Sequence, residues 1–291
     1  MLEFRTPKLE DINKFKSFFF DEEELSCETN FTNLLIWHSH YNTVYYLDDR
    51  TLFFRMGKEG SFMFSMPYGD LSYGIELIRQ YCKQQNCTPT LWACEGKRYE
   101  KFKKIYSGIT VEPARDSFEY IYNREDLSTL AGKKYHSKRN HIAKFSKVYS
   151  WEYESINESN IAEIQYFADK WYDGVEDEGL ISEKSALKLL LNNRNLLNVK
   201  GGMIRVDGRI VAFTLGTPIN STTFDIHYEK ADKEFLTAYS VINREFAFRE
   251  LDGYKYINRE DDLGIEGLRK AKLSYKPEIL LEKYIISFKG E

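Results

Sequence analysis

One order of elements can be read twice along these 291 residues, and it constrains the fold more than any single motif does. Apolar residues at helical spacing predict helices over 9–20 and 31–41. Short β-rich runs follow at 43–47, 52–56 and 61–65, separated by Asp48-Asp49 and by a turn bounded by Gly57 and Gly60, as in an antiparallel meander. A helix over 71–85, a strand over 89–93, a helix over 96–106 and a strand over 118–122 complete the first round. The second round begins with helices at 161–172 and 183–193 and strands at 199–206, 209–217 and 222–229. A helix at 236–251, a strand at 255–258, a helix at 265–273 and a strand at 279–288 close it. Asp207-Gly208 supplies the positive φ angles of a two-residue hairpin turn between the first two of those strands. The expected architecture is therefore α+β with mixed sheets in two domains, 1–125 and 126–291. The repeat is one of pattern, without residue identity.

That order resembles an acyl-CoA N-acyltransferase (GNAT) fold in tandem. The bulk composition permits it, with 42% hydrophobic and 15% aromatic residues to fill two cores. A net charge of −4 gives no global reason to expect nucleic acid, although a local basic patch can still bind it. No apolar run approaches the roughly 18 residues needed to cross a bilayer, and the first residues lack the apolar core of a secretory signal. Cys27, Cys82, Cys87 and Cys94 show neither a CxxC pair nor disulfide-dense spacing, so a cytoplasmic chain with free thiols is expected. There is no Gly-x-Ser-x-Gly elbow, P-loop, His-Glu-x-x-His or dinucleotide fingerprint, and the histidines and cysteines lack metal-ligand spacing. His38 and His40 read as cover for the second helix.

Three segments carry possible chemistry. The stretch 132–147 contains six Lys or Arg residues and no acid. Read as a helix linking the domains (133–149), it puts Tyr135, Ile142 and Phe145 near one side and cations over the remainder. Lys133, Lys134, Lys138, Arg139 and His141 then become candidates for an anionic donor, against the alternative of a solvated linker. In Thr222 to Lys230, period two places Asp225, His227 and Glu229 on one face and Phe224, Ile226 and Tyr228 on the other. A histidine beside carboxylates can pass a proton near neutral pH, and the bland alternative is the wet face of an antiparallel strand. The third segment, Asn258 to Lys272, reads mostly as a capped helix, with Asp261 or Asp262 as N-cap and Glu266 paired to Lys270. Asn258 and Glu260 precede that cap, and with Lys272 and Lys276 they are candidates for substrate binding.

These segments resemble a bacterial family of uncharacterised proteins related to the C-terminal domain of phosphatidylglycerol lysyltransferase. The resemblance rests on Ser26-Cys27 with Asn30-Phe31 and Trp37, and on Gly132-Lys133-Lys134 with Lys138-Arg139-Asn140-His141. It continues through His227-Tyr228-Glu229-Lys230 with Ile242-Asn243, Asn258 to Gly264, and Lys272 to Pro277. It implies a tandem GNAT fold like that of aminoacyl-tRNA-dependent transferases, which move an aminoacyl group to an amine or hydroxyl. Where such lysyltransferases carry an acid and, three residues on, an arginine, this chain places His227 and Lys230. Strict alternation would send those two to opposite faces, so they share a site only if the strand bulges or ends between them.

The leading expectation is acyl or aminoacyl transfer, with His227, Glu229 and Lys230 catalytic and Asn243, Asn258, Glu260, Lys272 and Lys276 orienting the acceptor. The donor is expected to be an aminoacyl-tRNA or an acyl-CoA, with peripheral lipid contact open. The glycine-free connection over 230–239 disfavours coenzyme A, whose pyrophosphate is usually cradled there by a glycine-rich loop. A non-catalytic module that binds RNA or a lipid headgroup is the remaining alternative.

Overall fold

The computed structural model describes residues 2–19, 23–58 and 60–288. Phe20, the last residue of the first expected helix, lies outside them. The chain divides into two compact units, one running to Phe118 and including the segment from Leu281 onward, the other running from Glu119 to Leu280. The division falls after Phe118 rather than after residue 125, and the C-terminal segment belongs with the first unit.

The first unit begins with α1 (Ile12–Phe19) and α2 (Phe31–Trp37). Ser26 and Asn30 are buried turn-formers here: Ser26 Oγ accepts from Glu28 N–H (3.2 Å) and Asn30 Oδ1 caps α2 through Thr32 N–H (2.9 Å). His38 contacts the Leu35 carbonyl (2.7 Å) and so covers the end of α2. Then come β1 (Val44–Leu47), β2 (Thr51–Lys58), β3 (Ser61–Ser65), β4 (Tyr68–Gly69), α3 (Leu71–Gln85), β5 (Thr90–Cys94), α4 (Lys97–Ile105) and β6 (Ile109–Pro113). Asp70 caps α3 at Tyr73 N–H, and Asn86 ends it in the left-handed region, where asparagine is tolerated. The stripe Leu71, Ile75, Ile78 and Cys82 lies at helical spacing and packs on Phe53, Phe64 and Leu91 of the sheet. Strand order is β1-β2-β3-β5, then Lys283–Phe288, then β6, with β4 beside β2.

The second unit contains β7 (Glu119–Asn123), α5 (Arg124–Thr129), α6 (His136–Val148), β8 (Trp151–Ser155), α7 (Ile161–Trp171) and α8 (Glu178–Asn192). It continues with β9 (Lys200–Val206), β10 (Arg209–Pro218), β11 (Thr223–Ala231), α9 (Ala238–Arg249), β12 (Tyr256–Asn258), α10 (Glu266–Leu273) and all but the last residue of β13 (Ile279–Leu281). Its sheet runs β13-β7-β12-β11-β10-β9-β8. Asp207 (φ 49°) and Gly208 (φ 75°) close the β9–β10 hairpin as expected. Phe224, Ile226 and Ile257 of the sheet meet Phe246 and Ala247 of α9, while Tyr135 and Phe145 bury the apolar side of the basic helix.

Two expectations about strands are corrected. The run over 118–122 belongs to the second sheet as β7, and the first sheet ends instead in β6, a half-exposed run closed by Pro113 that lacks clean alternation. The single strand expected over 279–288 divides at Glu282, its first part in the second sheet and Lys283–Phe288 in the first. Alternation marks a strand, but the partner it pairs with is chosen by tertiary packing.

Candidate functional site

β11 positions most of the candidate residues. It pairs with β12 in parallel only through Thr223↔Tyr256, Phe224↔Ile257 and Asp225↔Asn258. β12 stops there while β11 runs on to Ala231, and the side chains of Arg259 and Glu260 approach the edge that β12 leaves. On its other edge the pairing slips: Leu215 faces Tyr228 but Gly216 faces Ile226, so His227 is the extra residue of a β-bulge.

That bulge overturns the expected faces. Glu229 turns with Phe224 and Ile226 toward α9, where Asn243 Nδ2 donates to it (3.1 Å). Tyr228 and Lys230 turn toward α8 and both reach Glu183, at its carbonyl (3.4 Å) and its carboxylate (2.8 Å) respectively. A Cβ added at Gly216 would stand 2.0 Å from the Asp225 carbonyl oxygen, so only glycine lets β10 approach the bulged strand this closely. Gly216→Ala is expected to destabilise by about 1–3 kcal/mol through overpacking, seen as a lower urea midpoint at unchanged slope.

On the face toward α8, the His227 side chain is fully buried. Its Nδ1 lies 3.0 Å from Glu260 Oε1 and 3.5 Å from Asp225 Oδ2, and its Nε2 lies 2.8 Å from Thr217 Oγ1. Both ring nitrogens therefore contact the protein, Nδ1 toward the two carboxylates and Nε2 toward the threonine hydroxyl. Glu260 is the member of the pair with access to solvent, its side chain 21% exposed. It sits at φ 54°, uncommon for a residue with a Cβ, and its N–H donates to Asn258 Oδ1 (2.7 Å). Asn258, wholly buried, donates in turn to Glu119. It supports the turn instead of lining it. The Lys230 ammonium pairs with Glu183 and lies 4.3 Å from the centre of the Trp171 ring. Burial, then the Glu183 carboxylate, Tyr172 and Glu260, push the Tyr228 phenol well above its ordinary range, which ties the Glu183 and Glu260 groups into one neighbourhood.

On the face toward α9, Glu229 Oε1 accepts from Arg259 Nη2 (2.7 Å). The Arg259 guanidinium lies 4.8 Å from the Tyr275 ring centre, and the Lys138 ammonium lies 3.7 Å from the same ring. Burial first, then the Arg259 charge, pull Lys138 down to about 8 against the attraction of Glu229. The same two causes bring Lys272 to about 8 despite Glu260 and Asp261. Lys272 donates to the carbonyls of Arg259 and Asp261, so it clamps the turn after β12. Both lysines are harder to protonate folded than unfolded. Unfolding therefore takes up protons between about 8 and the ordinary lysine value, and their contribution to stability rises with pH across that window. Urea unfolding of Lys138→Met should accordingly show a smaller gain between pH 7.5 and 9.5 than the wild-type chain does.

The rest of the basic helix is differently employed. Lys134 pairs with Asp126 (2.6 Å), and Arg139 donates to the carbonyls of Leu130 and Gly132, closing the end of α5. His141, held below its usual value by burial and by Lys138 and Lys144, lies 3.5 Å from Ser240 Oγ. Lys133 and Lys276 are exposed. Asp262 is not the N-cap of α10, a position held by Ile265. Its buried carboxylate accepts from Tyr120 OH (2.5 Å) and from Arg269 Nε and Nη2 (2.8 and 2.7 Å). The expected Glu266–Lys270 pair is present at 2.6 Å. An open cleft of about 420 Å³ lies elsewhere, against Trp151, Arg244 and Phe248, and includes none of the candidate residues.

Sequence reading passed over Glu183, Thr217 and Arg259. Glu183 opened a predicted helix and nothing in its spacing marked it, whereas Arg259 stood inside a segment already singled out. In the connection before α9, the Asp232 carboxylate accepts from Glu234 N–H (3.0 Å) and pairs with Arg209.

A family model described as phosphatidylglycerol lysyltransferase, C-terminal, matches residues 21–287. The chain belongs to that family. A conserved protein of unknown function from Bacteroides thetaiotaomicron is 37% identical, with 99% of this chain and 100% of that one covered at a TM-score of 0.90. The structure of L-PGS from Bacillus licheniformis is 16% identical over 99% and 94% of the two chains, TM-score 0.65. FemX is 8% identical over 99% and 97%, TM-score 0.56. These two likenesses are of fold, and they make both units of this family member GNAT-like, as the element order implied. An uncharacterised protein of Mycoplasmoides gallisepticum is 26% identical over 176 residues, and the match spans only about half, 56%, of that relative's length. Among the described residues no helix is long and apolar enough to cross a membrane.

Proposed function

We propose that this chain moves an acyl or aminoacyl group from an activated donor, with aminoacyl-tRNA preferred, to an amine or hydroxyl acceptor where β11 and β12 part. Family membership supports transfer as the reaction class. The observation that carries the site is the Glu260–His227 pair, a partly exposed carboxylate backed by a buried imidazole that Asp225 and Thr217 hold in place. An amine acceptor, with an ordinary pKa near 10.4, must lose a proton to attack. Glu260 takes that proton, and His227 fixes the direction of its carboxylate. The acceptor atom bonds to the donor's ester carbonyl carbon and the bond to the donor oxygen breaks. The proton taken by Glu260 ends on the released hydroxyl, and for an amine acceptor the second proton, lost from nitrogen as the amide forms, goes to solvent. Lys230 offsets charge growing on the carbonyl oxygen. The Asp232-occupied connection makes coenzyme A the poorer donor. A tRNA-borne donor places the reaction in the cytoplasm, with either a soluble amine or a lipid headgroup at a membrane surface as acceptor.

The test is a screen of charged tRNAs bearing labelled amino acids, against soluble amines and vesicles containing phosphatidylglycerol. Label should pass to an acceptor and depend on the protein. Failure with every aminoacyl-tRNA, together with sub-millimolar binding of coenzyme A by calorimetry, would overturn the reading.

A further inference from the structure

The face of β11 turned to α9 holds more positive charge than its own groups neutralise. Around the single carboxylate of Glu229 stand the Arg259 guanidinium, 2.7 Å away, and the Lys138 ammonium, which shares the Tyr275 ring with Arg259. Lys138 has no carboxylate partner among the described residues, and its contact there is the ring face at 3.7 Å. Arg259 spends Nη2 on Glu229, and its Nη1 is buried without a hydrogen-bond partner. Asn243 must turn its amide nitrogen to the acceptor-only carboxylate of Glu229, so its carbonyl oxygen points away. That oxygen is also buried and unpartnered. Orphaned polar atoms at such depth are uncommon, and each costs stability unless something meets it. Here a donor on a cation and an acceptor on a neutral amide belong to the two residues that bind one carboxylate, and both are unpartnered.

We propose that Lys138, Arg259 and Asn243 form a subsite for a phosphate ester bearing a neighbouring hydroxyl. The phosphate oxygens meet Lys138 and Arg259 Nη1, and the hydroxyl donates to Asn243 Oδ1. Glu229 keeps Arg259 and Asn243 aimed, and Tyr275, whose hydroxyl donates to Ser240 (3.3 Å), forms the wall. A ribonucleotide phosphate and a glycerol phosphate both carry this pair of groups. The assignment also separates the work of the basic helix: Lys138 belongs to the subsite, while Lys134 and Arg139 secure α5. Taken as the place where a substrate's phosphate is held, the subsite rests on the transfer reading, but it binds its ligand without turnover.

Calorimetry on the full chain at low salt tests it with sn-glycerol 3-phosphate, adenosine 5′-monophosphate and inorganic phosphate. At least one ester should bind more tightly than inorganic phosphate, and the preferred ester tells whether a lipid headgroup or a nucleotide is the source. Lys138→Gln should weaken ester binding by about tenfold or more, as expected for a charge-assisted hydrogen bond. Asn243→Ala should remove the advantage of the ester over inorganic phosphate, with folding checked by circular dichroism. Lys188→Gln, an equal change of charge at an exposed position of α8, should leave affinity unchanged. Equal losses in Lys138→Gln and Lys188→Gln, or no ester binding at millimolar concentration by the folded chain, would overturn the subsite. Such a result would leave transfer at Glu260 untouched if the tRNA screen is positive.

Discussion

An Asp262→Ala chain should lose about 3 kcal/mol of stability at pH 7, near the lower end for removing one partner of a buried ion pair. The lower end applies because the Arg269 side chain keeps 28% of its surface in water, whereas that of Asp262 has none exposed. The carboxylate accepts from Tyr120 of β7, from two nitrogens of Arg269 on α10 and from Gly264 N–H (2.9 Å), so its loss frees a strand, a helix and the loop between β12 and α10 together. Burial works against its ionisation, but the Arg269 and Tyr120 hydrogen bonds and the Gly264 amide outweigh it, and the folded carboxyl lies well below the usual carboxylate range. A group depressed in this way stabilises fully above its unfolded value, near 3.9, and loses that contribution as pH falls toward the folded one. The deficit of Asp262→Ala in urea unfolding should therefore shrink between pH 7 and pH 3. A deficit under 1 kcal/mol, or one unchanged by acid, would show that the network does not hold the loop.

Much of the architecture was legible because local chemistry decided it. Asp207-Gly208 could form only a tight turn, and α3 carries its cap, its stripe and its left-handed asparagine in plain sequence. Pairing partners were not legible: β7 and Lys283–Phe288 read as the ends of their own rounds and instead sit in the other sheets. The site was half legible for a similar reason. The right strand was singled out, but a single slip at His227 exchanges the faces of every residue after it, so Glu229 and Lys230 arrive on sides opposite to those expected. Gly216, a glycine inside the neighbouring strand, was the one local sign of that slip. On α6 the apolar stripe predicted burial of Tyr135 and Phe145, yet Lys138 lies at its border, and only the position of Tyr275 shows that this cation faces inward. Asp262 read as a cap because its partner Tyr120 is far away in sequence.

Replacing Glu260 by Gln should slow transfer by about 10²–10⁴, the span of general-base catalysis, while leaving the unfolding curve close to wild type. Glutamine matches the volume and can still accept at the position facing His227, so the turn after β12 keeps its support, but it cannot receive a proton. Lys230→Met should cost about 10²–10³, the range for one group that offsets charge in the transition state, and should act on kcat more than on KM. Methionine keeps the contact with Trp171 and leaves Glu183, 18% exposed, with some access to water. His227 calls for a different signature, because protein groups engage both of its ring nitrogens. His227→Asn should lower kcat less than Glu260→Gln does and displace the pH–rate profile, since it changes how the Glu260 carboxylate is held without removing it. Glu260→Gln and Lys230→Met chains that both turn over at the wild-type rate would remove the chemistry from this face of β11. A His227→Asn loss as deep as that of Glu260→Gln, at an unmoved pH profile, would instead make the imidazole a structural post for the bulge.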